Sequence, residues 1–125
     1  CINVSQTGVE FAPVQTTGEY IKEQGGLLFW AAGNDGRDLS WFDWEDVIVV
    51  GATDLNDSKP EWSAFGLALD VYAPGDSMLS TGVPGVLAIG SGTSSAAPIA
   101  SGVAGLIWSA QPDATPTQVK HLLLN

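Results

Sequence analysis

The chain has 125 residues, 45% of them hydrophobic, which suits one modest domain with a substantial core. Asp and Glu number 14 against 4 Lys and Arg, a net charge of −10. So few cations argue against phosphate backbones or anionic bilayers as partners, and no apolar run approaches the ~20 residues of a membrane span.

The first run, Ile2-Asn3-Val4-Ser5, is β-prone and predicts a short buried strand. Residues 9–24 read as a helix weakened by Pro13 and Thr16-Thr17-Gly18, with Gly25-Gly26 as its C-terminal cap. The continuous apolar run 27–32 has the character of a parallel strand covered on both faces, broken sharply by Gly33-Asn34-Asp35-Gly36. An acidic, aromatic loop follows over 37–46, with Trp41, Phe42 and Trp44 among its carboxylates. Another buried strand is expected at 47–52, a polar turn at 54–59, and a short strand at 69–73 stopped by Pro74-Gly75. Residues 78–81 and 86–89 pair as a hairpin across Gly82-Val83-Pro84-Gly85.

A central helix runs from about Ser94 to Ala110 and carries Pro98 in its early turns. The last helix begins at Thr115, with Pro116 at the first helical position and Gln118 completing a capping box. This order of elements predicts a three-layer α/β fold with a mainly parallel sheet. The chain starts on a strand-like run without Met and ends in a helical run without a stop signal. It is therefore expected to be part of a longer protein.

Several residues are candidates for chemistry. A serine at a helix N-terminus faces unsatisfied N–H groups and the positive end of the helix dipole. Ser94, after Gly90-Ser91-Gly92-Thr93, is thus either a nucleophile or, with Thr93, an ordinary helix cap. A phosphate loop would need the lysine that is missing here. Asn34 follows a buried strand and sits where parallel sheets collect binding groups. It reads as a turn residue or as an amide donor to an oxyanion. His121, the single histidine, lies in the terminal helix and is expected to be structural. One His and one Cys make no zinc site, and Cys1 alone makes no internal disulfide. Asp35, Asp38, Asp43, Glu45 and Asp46 lack EF-hand spacing and are expected to form a solvated loop.

Taken together, several stretches resemble the subtilisin-like serine peptidases (subtilases, peptidase family S8). Gly92-Thr93-Ser94-Ser95-Ala96-Ala97-Pro98 is similar to that family's nucleophile motif and helix, Ala31-Ala32-Gly33-Asn34 to its oxyanion motif, and Ile2-Asn3-Val4-Ser5 to the strand that opens its cleft. The resemblance covers essentially the whole chain, but only the C-terminal half of the family's catalytic domain.

The resemblance implies a serine endopeptidase working through an acyl-enzyme. Ser94 would be the nucleophile, and Asn34 the oxyanion donor beside the Ser94 backbone N–H. Ser5, Gln6, Thr7, Ala31, Ala32 and Gly33 would form the substrate walls. The family's His and Asp would lie upstream, so residues 1–125 alone are expected to be inactive and to need the N-terminal half of the same domain. No cofactor is required for the chemistry, with structural calcium left open. The expected partner is a peptide or protein substrate, in an extracellular or secreted setting.

Ser95 and Ile99 stand where the family commonly has Met and His, and Trp41-Phe42-Asp43-Trp44 replaces a usual Tyr-Pro pair. That loop is expected to bear on specificity, so Trp41→Ala and Trp44→Ala should change selectivity. Two other readings carry the same motifs. One is a pseudo-peptidase that binds without cleaving. The other is a sedolisin-type serine-carboxyl peptidase, which would want Asp rather than Asn34 at the oxyanion position.

Overall fold

The apolar runs become the strands of one parallel sheet. In a computed structural model, which describes residues 1–83 and 85–125, four strands lie in chain order: β1 (Ile2–Val4), β2 (Leu28–Ala31), β3 (Val47–Thr53) and β4 (Val71–Pro74). All three pairings are parallel, with Val4 opposite Trp30, Trp30 opposite Val49, and Val50 opposite Val71. Side chains alternate across a strand, so consecutive apolar residues serve opposite faces. Phe29, Ala31, Ile48, Val50 and Ala52 face one core, while Leu28, Val47 and Val49 face the other. Two cores on one sheet make three layers.

Helix α1 (Ala12–Glu23) covers the second face through Val14 and Ile21. Its start differs from the sequence expectation. Residues 9–11 lie outside the helix, and Pro13 sits in its first turn, where the missing N–H costs nothing, so it begins the helix rather than weakening it. The glycine pair ends it as expected. The Gly26 N–H donates to the Ile21 carbonyl and the Gly25 N–H to the Lys22 carbonyl, both at 2.9 Å, with Gly25 at φ +81°. Gly18 is tight: a Cβ there would lie 2.5 Å from the Asp46 carbonyl oxygen.

The first face is covered by α2 (Thr93–Ala110), which lays Ala96, Ala97, Ala100 and Ala104 on the sheet. Methyl-sized side chains let the helix approach closely enough to bury Phe29 completely. Truncating that ring to Ala would cost ~3–5 kcal/mol. Helix α3 (Pro116–Leu124) is started by the expected capping box, in which the Gln118 N–H donates to Thr115 Oγ1 and the Thr115 N–H to Gln118 Oε1. Val119 seals it to the same core, and the Trp108 indole N–H donates to the Ala114 carbonyl at 2.8 Å, fixing the α2–α3 corner.

Three further expectations are corrected. Strand β1 is at the sheet's edge rather than buried, with Ile2 48% exposed, because among the described residues it pairs only with β2. Loop 37–46 is more than a solvated acidic loop. Leu39 and Phe42 are buried, Trp44 Nε1–H donates to the Val9 carbonyl, and Asp46 pairs with Lys22. Helix α2 has Gly92 as its cap, and neither Thr93 nor Ser94 caps it by side chain. The expected hairpin forms from β5 (Met78–Thr81) and β6 (Leu87–Gly90), antiparallel; Pro84 of its turn lies outside the described residues.

Candidate active site

Parallel strands carry their following loops to one edge of the sheet, where binding groups gather. Here Ser5, Gly33-Asn34 and Gly75 leave the carboxyl ends of β1, β2 and β4. The N-terminus of α2 is tied to that edge, because the Gly92 N–H donates to the Gly75 carbonyl at 2.8 Å. Strand β1 is tied there too: Ser5 Oγ donates to the Ser94 carbonyl at 2.9 Å and accepts from Asn3 Nδ2 at 3.1 Å.

The orientation of Asn34 follows from its neighbours. Its Oδ1 accepts from the Thr93 N–H at 2.8 Å and from Thr93 Oγ1–H at 2.9 Å. The hydroxyl oxygen of Thr93 in turn accepts from the Gly33 N–H at 3.0 Å. A backbone N–H can only donate, so the amide oxygen must face it. That leaves Nδ2, a donor, turned to the other side. Asn34 thus satisfies the first turn of α2 from across the cleft, and buried Thr93 locks it there. The sequence reading missed Thr93 as a positioning residue. Its signal was a β-branched hydroxyl immediately before the candidate nucleophile.

The remaining donors converge beside Gly92. A methyl placed on that Cα would lie 3.1 Å from Asn34 Nδ2, 3.5 Å from Ser94 Oγ and 3.6 Å from the Ser94 nitrogen. Gly92 has φ 156° and ψ 158°, a region nearly reserved for glycine. The empty volume therefore exists because position 92 has no side chain. Ser94 is exposed, its hydroxyl has no hydrogen-bond partner among the described residues, and the helix dipole adds partial positive charge. Chemically, this arrangement can hold negative charge on an oxygen bonded to a carbon at Ser94.

A cavity of about 340 Å³ opens beside this point. Ser5, Gln6, Thr7, Ala31, Gly33, Asn34 and Ser94 line it together. Ala32 does not: it is buried in the second core, with its N–H donating to the Val50 carbonyl at 3.0 Å, because the strand's alternation turns it away. Two charged residues that the sequence reading did not assign to the walls, Asp35 and Arg37, line it instead. Neither Trp41 nor Trp44 reaches this cavity. A second cavity of about 430 Å³ lies on the other side of Ser94, between Ser95, Pro98 and Ile99 of α2 and the β5–β6 hairpin.

His121 lines a separate cavity with Lys22, Asp46 and Lys120, and its ring lies 3.2 Å from Asn125 Nδ2. It is not brought to Ser94. Among the described residues no group of three or more His, Cys, Asp and Glu side chains gathers to hold a metal, and no helix is long and apolar enough to cross a membrane. One partly buried carboxylate pairs with Lys120, which lines that cavity. Asp70 Oδ2 accepts from the Val49 N–H at 2.9 Å and its Oδ1 lies 2.9 Å from Lys120 Nζ. Burial pushes its pKa above the ordinary carboxylate value, against the opposing pull of Lys120 and the Val49 N–H.

A serine at the head of a helix thus faces an amide donor at the carboxyl edge of a parallel sheet, in a three-layer α/β fold. The comparisons narrow this further: the subtilase family model matches residues 3–125, and the chain belongs to that family. It is 32% identical to a subtilisin-like protease of Coccidioides posadasii, over 99% of this chain and 32% of the relative. It is 37% identical to an extracellular serine proteinase of a Thermus species, over 98% and 31%. With thermitase of Thermoactinomyces vulgaris the identity is 38%, over 77% and 35%. The crystal structure of a cold adapted subtilisin-like serine proteinase superposes with a TM-score of 0.83 at 28% identity, over 96% of this chain and 45% of the other. The chain thus spans about a third of the length of the curated relatives.

Proposed function

We propose that the protein carrying this chain is a secreted serine endopeptidase and that residues 1–125 are the C-terminal portion of its catalytic domain. Ser94 Oγ attacks the peptide carbonyl carbon and gives its proton to a base. The carbonyl oxygen becomes an oxyanion that accepts from Asn34 Nδ2 and the Ser94 N–H. The leaving amine takes the proton from the base, and an ester on Ser94 remains for water to hydrolyse. Ser5, Gln6, Thr7, Ala31 and Gly33 hold the substrate chain. No cofactor enters these steps.

The observation that carries this reading is the convergence of Asn34 Nδ2, Ser94 N and Ser94 Oγ on the space left open by Gly92. The base and its orienting carboxylate come from outside residues 1–125. Supporting this, no hydrogen bond reaches the Ser94 hydroxyl among the described residues, and His121 lies in another cavity. The outward faces of α2 and the hairpin also expose Leu79, Leu87, Ile89 and Leu106, each more than 60% accessible, as surfaces awaiting a covering layer do. That the Thermus relative is named an extracellular proteinase supports secretion.

Fluorophosphonate labelling tests the assignment. Full-length protein should label at Ser94 and lose the label in Ser94→Ala, while residues 1–125 alone should label weakly and cleave nothing. Strong labelling of residues 1–125 would show that the chain needs no outside base.

A further inference from the structure

Among the described residues two polar side chains are almost wholly buried, Thr93 and Ser63. Thr93 meets Gly33 and Asn34 directly. Ser63 lines neither cavity beside Ser94, so contact with a substrate does not explain its hydroxyl. Burying a hydroxyl is unfavourable unless it is hydrogen-bonded, and the bonds of Ser63 lead to the same place as those of Thr93.

Strand β2 ends at Ala31, and the Ala32 N–H still reaches the Val50 carbonyl of β3 at 3.0 Å. Alternate residues of a strand point their N–H groups to the same side. The Ala52 N–H therefore points to where β2 would continue, but the chain has turned away at Gly33, φ +113°. Ser63 Oγ fills that gap, accepting from the Ala52 N–H at 3.0 Å. The same hydroxyl donates to the Ala64 carbonyl at 3.2 Å. The Ala64 N–H in turn donates at 3.1 Å to the Gly33 carbonyl, which belongs to the peptide bond leading into Asn34. Gly33 is thus held from both sides, its N–H by Thr93 of α2 and its carbonyl by Ala64. Neighbouring bonds reinforce this. The Gly36 N–H donates to the Trp62 carbonyl and the Phe65 N–H to the Arg37 carbonyl, both at 2.9 Å. The approach is close: a Cβ on Gly36 would lie 2.7 Å from the Glu61 carbonyl oxygen. Segment 61–65 brackets the loop that carries Asn34, and Ser63 is its side-chain anchor to β3.

We propose that Ser63 is a positioning residue for the oxyanion amide: its hydroxyl fixes Ala64 against β3, and Ala64 fixes the Gly33–Asn34 peptide so that Asn34 Nδ2 stays aimed beside Gly92. The proposal deepens the peptidase reading above and rests on it. Ser63 touches no reacting atom, and its effect passes through Ala64 and Gly33. A displacement of about 1 Å in an active site can cost about 100-fold, and complete loss of an oxyanion donor costs about 100- to 1000-fold. Loosening one of the two holds on Gly33 should cost part of that, about tenfold in kcat.

The test is a double-mutant cycle in full-length protein with a peptide anilide as substrate. Ser63→Ala should lower kcat about tenfold, with KM within about twofold of the parent. In an Asn34→Ala background there is no amide left to place, so adding Ser63→Ala should change kcat less than about twofold. A purely structural role would lower kcat by the same factor in both backgrounds. Thermal melts identify a variant that fails to fold, and Ser63→Cys, similar in size and a weaker acceptor, then takes its place in the cycle.

A folded variant with kcat within about threefold of the parent overturns the proposal, as does an equal loss with and without Asn34. Fluorophosphonate labelling of Ser94 in the parent separates this from failure of the peptidase reading. If no label appears, amide hydrogen exchange decides. The Thr93 N–H, which donates to Asn34 Oδ1, should exchange about tenfold faster in Ser63→Ala, measured against the Gln118 N–H of the α3 cap. That acceleration upholds the hold of Ser63 on Asn34, and an unchanged ratio overturns it.

Discussion

Replacing Gly92 by Ala probes the site with a single methyl. The new Cβ would lie 3.1 Å from Asn34 Nδ2 and 3.6 Å from the Ser94 nitrogen. Oxyanion donors act at about 2.7–3.1 Å from the oxygen they stabilise, so the methyl takes the oxyanion's place. Loss of one such donor in subtilisin itself costs about 100- to 1000-fold in kcat, a magnitude taken from that enzyme. Here both donors are blocked, so a fall of at least ~100-fold is expected. Because the oxyanion forms only in the transition state, the loss belongs in kcat with KM little changed. Backbone strain adds ~1–3 kcal/mol of destabilisation, since φ 156° with ψ 158° suits glycine. Gly90→Ala is the control, because a Cβ there meets nothing within 4 Å. Steady-state kinetics on full-length protein, with thermal melts of both variants, reads the result. A folded Gly92→Ala protein that keeps kcat within threefold of the parent would refute the placement of the oxyanion beside Gly92.

Gly18→Ala should destabilise the protein by ~1–3 kcal/mol in urea titrations despite the ~1 kcal/mol that helix propensity favours Ala, because the methyl collides with the Asp46 carbonyl oxygen and, at 2.7 Å, with Val47 Cγ2. For Asp70, the folded pKa is raised above the unfolded value, chiefly by burial. The folded state therefore binds the proton more tightly, and the stabilisation this gives is full below the unfolded pKa and lost as pH rises through the folded one. Asp70→Asn keeps an acceptor for the Val49 N–H, so it should flatten that stretch of a stability-versus-pH profile; an unchanged profile would count against the assignment. Trp44→Phe removes the indole donor from the Val9 carbonyl and should cost ~1–3 kcal/mol in melting or urea experiments.

Most of the fold was legible because its signals are local. Runs 27–32 and 47–52 were apolar at every position, which only a doubly covered strand requires, and the structure gives β2 and β3 there with two cores. Thr115, Pro116 and Gln118 spelled a helix start in four residues, and each hydrogen bond of that box is present. The errors came where partners set the outcome. A three-residue β-prone strand, here Ile2-Asn3-Val4, has the same sequence at an edge as in the middle, so the sequence predicts β1 to be buried. In loop 37–46 the acidic residues dominate the composition, while Leu39 and Phe42 decide the packing. Local polarity does not report that a neighbouring core can take two side chains.

The site was legible as a set of positions but not as an arrangement. Ser94 and Asn34 each had an ordinary local explanation, as a cap and as a turn residue. The structure changes how those explanations relate. Asn34 fulfils the capping role itself, from 59 residues away, by accepting from the Thr93 N–H. In doing so it commits its oxygen and frees its amide donor, and it relieves Ser94 of any duty as a cap. A serine whose hydroxyl is not needed by its own helix is exposed with no hydrogen bond among the described residues. The bland reading and the chemical one therefore fall on different residues: the cap belongs to Asn34 and Gly92, and the unspent hydroxyl to Ser94. No spacing rule could have divided them, because the division depends on β2 delivering Asn34 to the mouth of α2.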